Sequence, residues 1–171
     1  MNVKFLNPFV EAAHEVLKHE TDQPLKRGEL QLDKETYVTD EVTAIISLVG
    51  RVVGTVFYSM NEASAINLAS SIMGEPFESF SALAQSGIAE IGNVITGRAS
   101  VKLSEAGYEA NITPPALLLG KDAIISTLDY PRIIVPLTGD FGSIVIHLAL
   151  RENQTFSGQA ADVNPITAPN I

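Results

Sequence analysis

Residues Ser79 to Gly107 read SFSALAQSGIAEIGNVITGRASVKLSEAG. Ala84, Ile88, Ile91, Ile95 and Ala99 recur at spacings of four and three, the apolar stripe of an amphipathic helix. At about 100° per residue, Ser86, Glu90, Asn93 and Gly97 fall on the opposite side, within roughly 60° of one another. One face is made for a core. The other presents a carboxylate and a carboxamide one turn apart. Ser86, Gly87 and Gly97 are small and leave room for another molecule. Gly97 in mid-helix costs about 1 kcal/mol relative to Ala, and Asn93 is a mediocre helix former. Close approach by a partner is one compensation. A Glu and an Asn on the solvent side of a helix are also ordinary, so spacing alone does not make a site.

The elements around this helix follow from period and punctuation. Upstream, Asn61 caps a shorter helix that runs to about Met73 and stops at Gly74. Its apolar positions are Ile66, Ala69, Ile72 and Met73. Before it, Val42–Val49 and Val52–Met60 are rich in β-branched residues and read as a hairpin through Gly50-Arg51. Val52, Val56, Tyr58 and Met60 share one face, and Gly54 between them marks a bulge or close packing. Leu30, Leu32, Tyr37 and Thr39 alternate as a further strand or hairpin. The chain begins with an amphipathic helix from about Asn7 to His19. Asn7 is placed to cap it and Pro8 to occupy its first position. Phe9, Ala12, Ala13, Val16 and Leu17 form its apolar side.

Downstream, Asn111-Ile112-Thr113-Pro114-Pro115 cannot end in a helix, because the residue before a proline is pushed to extended geometry. Ala116–Leu119 and Ala123–Leu128 look extended. Arg132–Leu137 and Ser143–Leu150 form a second hairpin, with Pro136 suggesting an edge strand or a bulge. Hairpins beside segregated helices predict an α+β, two-layer fold, a mainly antiparallel sheet packed against long helices. Residues 1–151 read as one domain. Residues 152–171 are polar, with Gly158, Pro165 and Pro169, and read as a C-terminal tail.

Composition bounds the function. A hydrophobic share of 46% against 18% charged residues suits a folded domain rather than a disordered chain. The formal net charge of −9 argues against nucleic acid and anionic membrane surfaces. The chain has no cysteine, which removes disulfides, thiolate metal sites and cysteine nucleophiles together. There is no signal-peptide run at the N-terminus and no apolar stretch of about 18 residues, so a cytoplasmic location is expected. His14 and His19 are splayed by about 140° around their helix, and His147 alternates within a strand. No resident metal is expected. No nucleophile elbow, Walker loop or dinucleotide-binding glycine motif is present.

One constellation remains: Ser86-x3-Glu90-x2-Asn93, with Pro114-Pro115 downstream. Ala89 to Gly97, AEIGNVITG, and Ile112-Thr113-Pro114-Pro115 resemble the signature helix and following segment of the CheC/CheX/FliY-type phosphatases of bacterial chemotaxis. The chain resembles the CheX-like members most.

The resemblance implies a substrate, the phosphorylated aspartate of a CheY-like response regulator. It implies that Asn93 orients the attacking water and that Glu90 pairs with the receiver's lysine. Ser86, Gly97 and Pro114 take supporting or partner-binding roles. Any Mg²⁺ belongs to the receiver, so the chain needs no cofactor of its own. In the first helix, Glu11-x3-Glu15 is followed by Lys18 where the pattern wants Asn, so one site is expected. The resemblance also implies a homodimer. Two other readings stay open: a receiver-binding adaptor without turnover, and a structural module like those of the flagellar switch.

Overall fold

The β-branched run from Val42 to Met60 forms the centre of an antiparallel sheet. In the computed structural model, which describes residues 3–34, 36–127 and 130–155, it folds as β4 (Val42–Gly50) and β5 (Val52–Met60). Ahead of it come a 3-10 turn (Val3–Phe5), α1 (Leu6–Thr21) and three short strands, β1 (Lys26–Arg27), β2 (Gln31–Asp33) and β3 (Tyr37–Val38). After it come α2 (Glu62–Met73), α3 (Ala82–Glu105), β6 (Ala110–Ile112), β7 (Ala116–Leu119) and β8 (Ile124–Ile125). The hairpin β9 (Arg132–Gly139) and β10 (Gly142–Glu152) completes the described elements.

The sheet order is β1-β9-β10-β5-β4-β6, with β2 also on β9 and β7 also on β4. Every pairing is antiparallel. The side chains of Val52, Val56, Tyr58 and Met60 share one buried face, as their alternation predicts. They join Ile46, Ile146, Leu148 and the apolar sides of all three helices in one core. This is the α+β, two-layer arrangement expected. On the other face Phe57 and Ala149 meet Tyr37, and Ile125 and Tyr130 pack around them. That second cluster lies under a two-stranded ribbon of β3 and β8, which the period alone did not reveal.

Gly54 is close packing rather than a bulge. Its register with Leu48 and Leu150 is continuous, its φ is +139°, and a Cβ there would collide with the Ala149 carbonyl. Pro136 sits opposite Val145, one strand in from the edge. The outer neighbour is broken there, between β1 and β2, so the missing N–H of Pro136 faces the gap while its carbonyl accepts from Gly28 N–H at 2.9 Å. The ladder therefore loses no bond.

The boundaries of α1 and β10 and the packing face of α2 differ from the sequence reading. α1 starts at Leu6 with Phe5 as N-cap and no side-chain cap, so Asn7 and Pro8 lie inside the first turn. Phe5 and Leu6 are buried, and their burial outweighs the cap signal. α2 turns Ala65, Leu68 and Ala69 to the core, leaving Ile66 and Ile72 half-buried and Met73 41% exposed. β10 runs to Glu152, and Asn153 N–H bonds Arg51 O at 2.8 Å. Leu128 and most of the expected tail, residues 156–171, lie outside the described residues.

Candidate functional site

α3 is a helix of 24 residues whose ends are both fixed. Ser81 is extended at the N-cap, and its hydroxyl accepts from Ala84 N–H at 3.3 Å. The helix therefore begins three residues later than Ser79. At the other end Gly107 adopts φ +85°, and Tyr108 N–H closes on Leu103 O at 2.8 Å. Ala84, Ile88, Ile91, Ile95 and Ala99 are all buried, as their spacing predicts.

The opposite face carries the sequence-predicted residues together. Ser86 and Glu90 are exposed, and Asn93 and Gly97 are half-buried. Among the described residues, neither Glu90 nor Asn93 makes a side-chain hydrogen bond or ion pair. The Ser86 hydroxyl donates to Ala82 O at 3.0 Å, so only its lone pairs are left to accept from a partner. A Cβ on Gly97 would meet only Ile112 Cδ1, at 3.8 Å, so this glycine does leave open space. Gly87 does not. It is buried, and a Cβ there would lie 3.8 Å from Met73 of α2. A Cβ would make only ordinary contact there, but α2 covers that side through Met73 and Ala69, which corrects the reading of Gly87 as room for a partner.

Pro114 is exposed on the connection from β6 to β7, and both of those strands pair with β4. Thr113 anchors that connection. Its N–H donates to Ser47 O at 2.9 Å, and its hydroxyl accepts from Ser47 N–H at 3.0 Å. Pro114 is thus carried on a fixed stem at the side of α3 where Gly97 meets Ile112.

The middle of α3 touches the sheet through Gly92 and Thr96. A Cβ on Gly92 would come within 3.2 Å of Tyr58 Cδ2. Thr96 Oγ1 donates to Gly92 O at 2.7 Å and lies 2.7 Å from the Tyr58 hydroxyl. Burial pushes the Tyr58 phenol well above its ordinary range, so it stays protonated. The sequence reading missed this pair. Its one signal was a polar residue, Thr96, at the border of an otherwise apolar stripe.

On α1 the corresponding carboxylates are occupied. Lys102 Nζ lies 3.3 Å from Glu11 Oε2 and 3.0 Å from Glu15 Oε1, and Arg98 reaches Glu15 at 3.8 Å. Those pairs, Glu15 first, raise the Lys102 pKa.

Among the described residues no three His, Cys, Asp or Glu side chains are grouped to hold a metal. His14 and His19 are exposed on α1. His147 is buried on the far face of the sheet, its ring 4.4 Å from that of Tyr37. Burial, reinforced by Arg132 and opposed by Asp33, lowers its pKa to about 4. Arg132 itself pairs with Asp33 and lies over the Tyr37 ring. Among the described residues no helix is long and apolar enough to cross a membrane.

Known proteins match this arrangement. The family model described as the chemotaxis phosphatase CheX matches residues 42–149. The CheY-P phosphatase CheX of Thermotoga maritima is 25% identical over 128 residues, covering 74% of this chain and 83% of that protein. A CheC-like superfamily protein from Shewanella sp. PV-4 superposes with a TM-score of 0.79 at 29% identity, over 88% of this chain and 99% of that one. A chain of the CheX–CheY–BeF3–Mg complex from Borrelia burgdorferi superposes at 0.75 with 26% identity, over 88% of this chain and all of the other.

Proposed function

This chain belongs to the family of the chemotaxis phosphatase CheX, and from that premise we propose that it hydrolyses the aspartyl phosphate of a CheY-like response regulator. The observation that carries the reading is the turn of α3 bearing Glu90, exposed, and Asn93, half-buried, whose side chains make no hydrogen bond or ion pair among the described residues.

Asn93 enters the receiver's active site. Its carbonyl accepts from a water O–H and its amide N–H donates, so the water is held with a lone pair toward phosphorus. The water oxygen bonds to phosphorus as the phosphorus–oxygen bond to the aspartyl carboxyl breaks. The products are a free aspartate and inorganic phosphate. An acyl phosphate is already reactive, so most of the catalysis required is positioning. Glu90 pairs with the receiver's lysine and sets the docking register. Ser86, Gly97 and Pro114 flank the contact, with Gly97 giving the partner's backbone room. A divalent metal for the reaction would be held by the receiver, where it would neutralise phosphoryl charge.

The active unit is residues 1–151. The chain works in the cytoplasm as a homodimer, which sedimentation equilibrium tests. The deciding experiment follows phosphate loss from a receiver charged with acetyl phosphate, with wild type and Asn93→Ala at substoichiometric amounts. Acceleration by the wild type alone is the expected result. Binding without acceleration would replace this reading with that of an adaptor.

A further inference from the structure

We infer that Tyr58 and Thr96 are positioning residues for Asn93, fixing the roll of α3 on the sheet so that the carboxamide meets the receiver at one angle. The inference rests on the phosphatase reading above and goes beyond it, because neither residue lies on the face that meets the partner.

Thr96 Oγ1 donates its one proton to Gly92 O at 2.7 Å. The 2.7 Å contact between the two hydroxyls is therefore made by the Tyr58 proton. The chain Tyr58 O–H to Thr96 O–H to Gly92 C=O ties one turn of α3 to β5, and both side chains are fully buried. Gly92 lets that turn sit low. A Cβ there would press within 3.2 Å of Tyr58 Cδ2 and 3.4 Å of Ile46 Cδ1.

This turn is the one that carries Asn93. At about 100° per residue, Asn93 projects about 60° round the helix from Thr96 and about 100° from Gly92. Elsewhere the core face of α3 is Gly, Ala, Ile and Leu, side chains that make no directional bond to the sheet. The next directional bond from α3 to the sheet is Ser100 Oγ to Ala110 O at 2.6 Å, seven residues beyond Asn93. A side-chain tip about 5 Å from the helix axis moves roughly 0.9 Å for a roll of about 10°. A misplacement of about 1 Å can cost up to about a hundredfold in rate. The hydroxyl pair therefore acts on turnover through orientation.

The test uses Tyr58→Phe, Thr96→Val, Thr96→Ser and the double variant Tyr58→Phe/Thr96→Val. Each is assayed on a receiver charged with acetyl phosphate, beside wild type and Asn93→Ala, with melting measured in parallel. Thr96→Val leaves the Tyr58 proton without its acceptor and lowers stability. The double variant removes both polar groups and restores stability. The expected result is a kcat reduced about tenfold in the double variant and in Tyr58→Phe, with KM within about twofold, and recovery in Thr96→Ser. A double variant as stable and as fast as wild type would make the pair purely structural and overturn the inference. Absence of acceleration by the wild type would instead overturn the phosphatase reading, and the inference with it.

Discussion

Lys102 Nζ lies 3.0 Å from Glu15 Oε1, so the carboxylate of α1 that would occupy a second signature position is held by a cation of α3. Glu90 has no such partner. The two helices carry similar carboxylates, and internal pairing separates them. Lys102→Met should therefore leave turnover within about twofold of wild type, because the pair belongs to the α1–α3 contact and exposed pairs contribute little. The raised Lys102 pKa fixes the sign with pH. Its contribution is full below the ordinary 10.5 and is lost as pH rises through the higher folded value. Melting curves of wild type and Lys102→Met at low and high salt should differ at low salt and converge at high salt. A loss of turnover would place Lys102 in the site.

Gly97 and Gly87 should separate under substitution. Gly97→Ala meets only Ile112 Cδ1 at 3.8 Å, so it gains helix propensity without strain and raises stability by about 1 kcal/mol. Gly97→Leu should fold but weaken receiver binding, because its side chain fills the space over the docking turn. Gly87→Leu should lose stability instead, by about 1–3 kcal/mol, since Met73 and Ala69 of α2 already occupy that side. Urea denaturation and receiver titration together read both effects. Equal loss of binding in folded Gly87→Leu would mean that the docking surface extends over α2.

The contrast shows what was legible in the sequence. The stripe of α3 and the hairpin β4–β5 were readable because long periodic segments report their own burial. The placement of Glu90 and Asn93 opposite that stripe was readable for the same reason, with Glu90 exposed and Asn93 half-buried, while their roles came only from the family resemblance. The packing face of α2 was not readable. α2 buries Ala65, Leu68 and Ala69 and meets Gly87 of α3 through Met73 and Ala69, so the large apolar residues Ile66 and Ile72 end up half-buried at the border of the core. A reading that ranks residues by hydrophobicity picks the wrong stripe there. The roles of Gly87 and Thr96 depend on which element lies beneath them, and periodicity carries no such information.

His147 gives the fold a dependence on acid. Its pKa is lowered to about 4, by burial first and by Arg132 second. The unfolded chain therefore takes up a proton between its ordinary value of 6.5 and about 4, where the folded chain does not. Stability from the neutral ring is fully present above about 6.5 and falls as pH drops toward 4, by up to about 3 kcal/mol. His147→Phe keeps a ring beside Tyr37 and should remove most of that slope. Urea midpoints at pH 5 and 7.5 for both proteins check it. An unchanged slope in His147→Phe would assign the acid sensitivity to carboxylates elsewhere.

Glu90 and Asn93 should fail in different ways, although they stand one turn apart. Glu90→Gln keeps the shape and removes the charge that pairs with the receiver's lysine. Its effect should appear as a raised KM, with kcat reduced less, and the difference from wild type should shrink as salt rises, because the lost term is Coulombic. Asn93→Asp also keeps the shape, but it replaces a group that donates and accepts with a carboxylate that only accepts. That carboxylate would face a phosphoryl group of the same sign and could no longer hold the water through both contacts. Turnover should fall by about a hundredfold or more, with melting close to wild type because the side chain makes no bond within the described fold. Single-turnover decay of a phosphorylated receiver across a salt series separates the two. If Asn93→Asp kept its rate while Glu90→Gln lost it, the water-orienting role would pass from the carboxamide to the carboxylate one turn away.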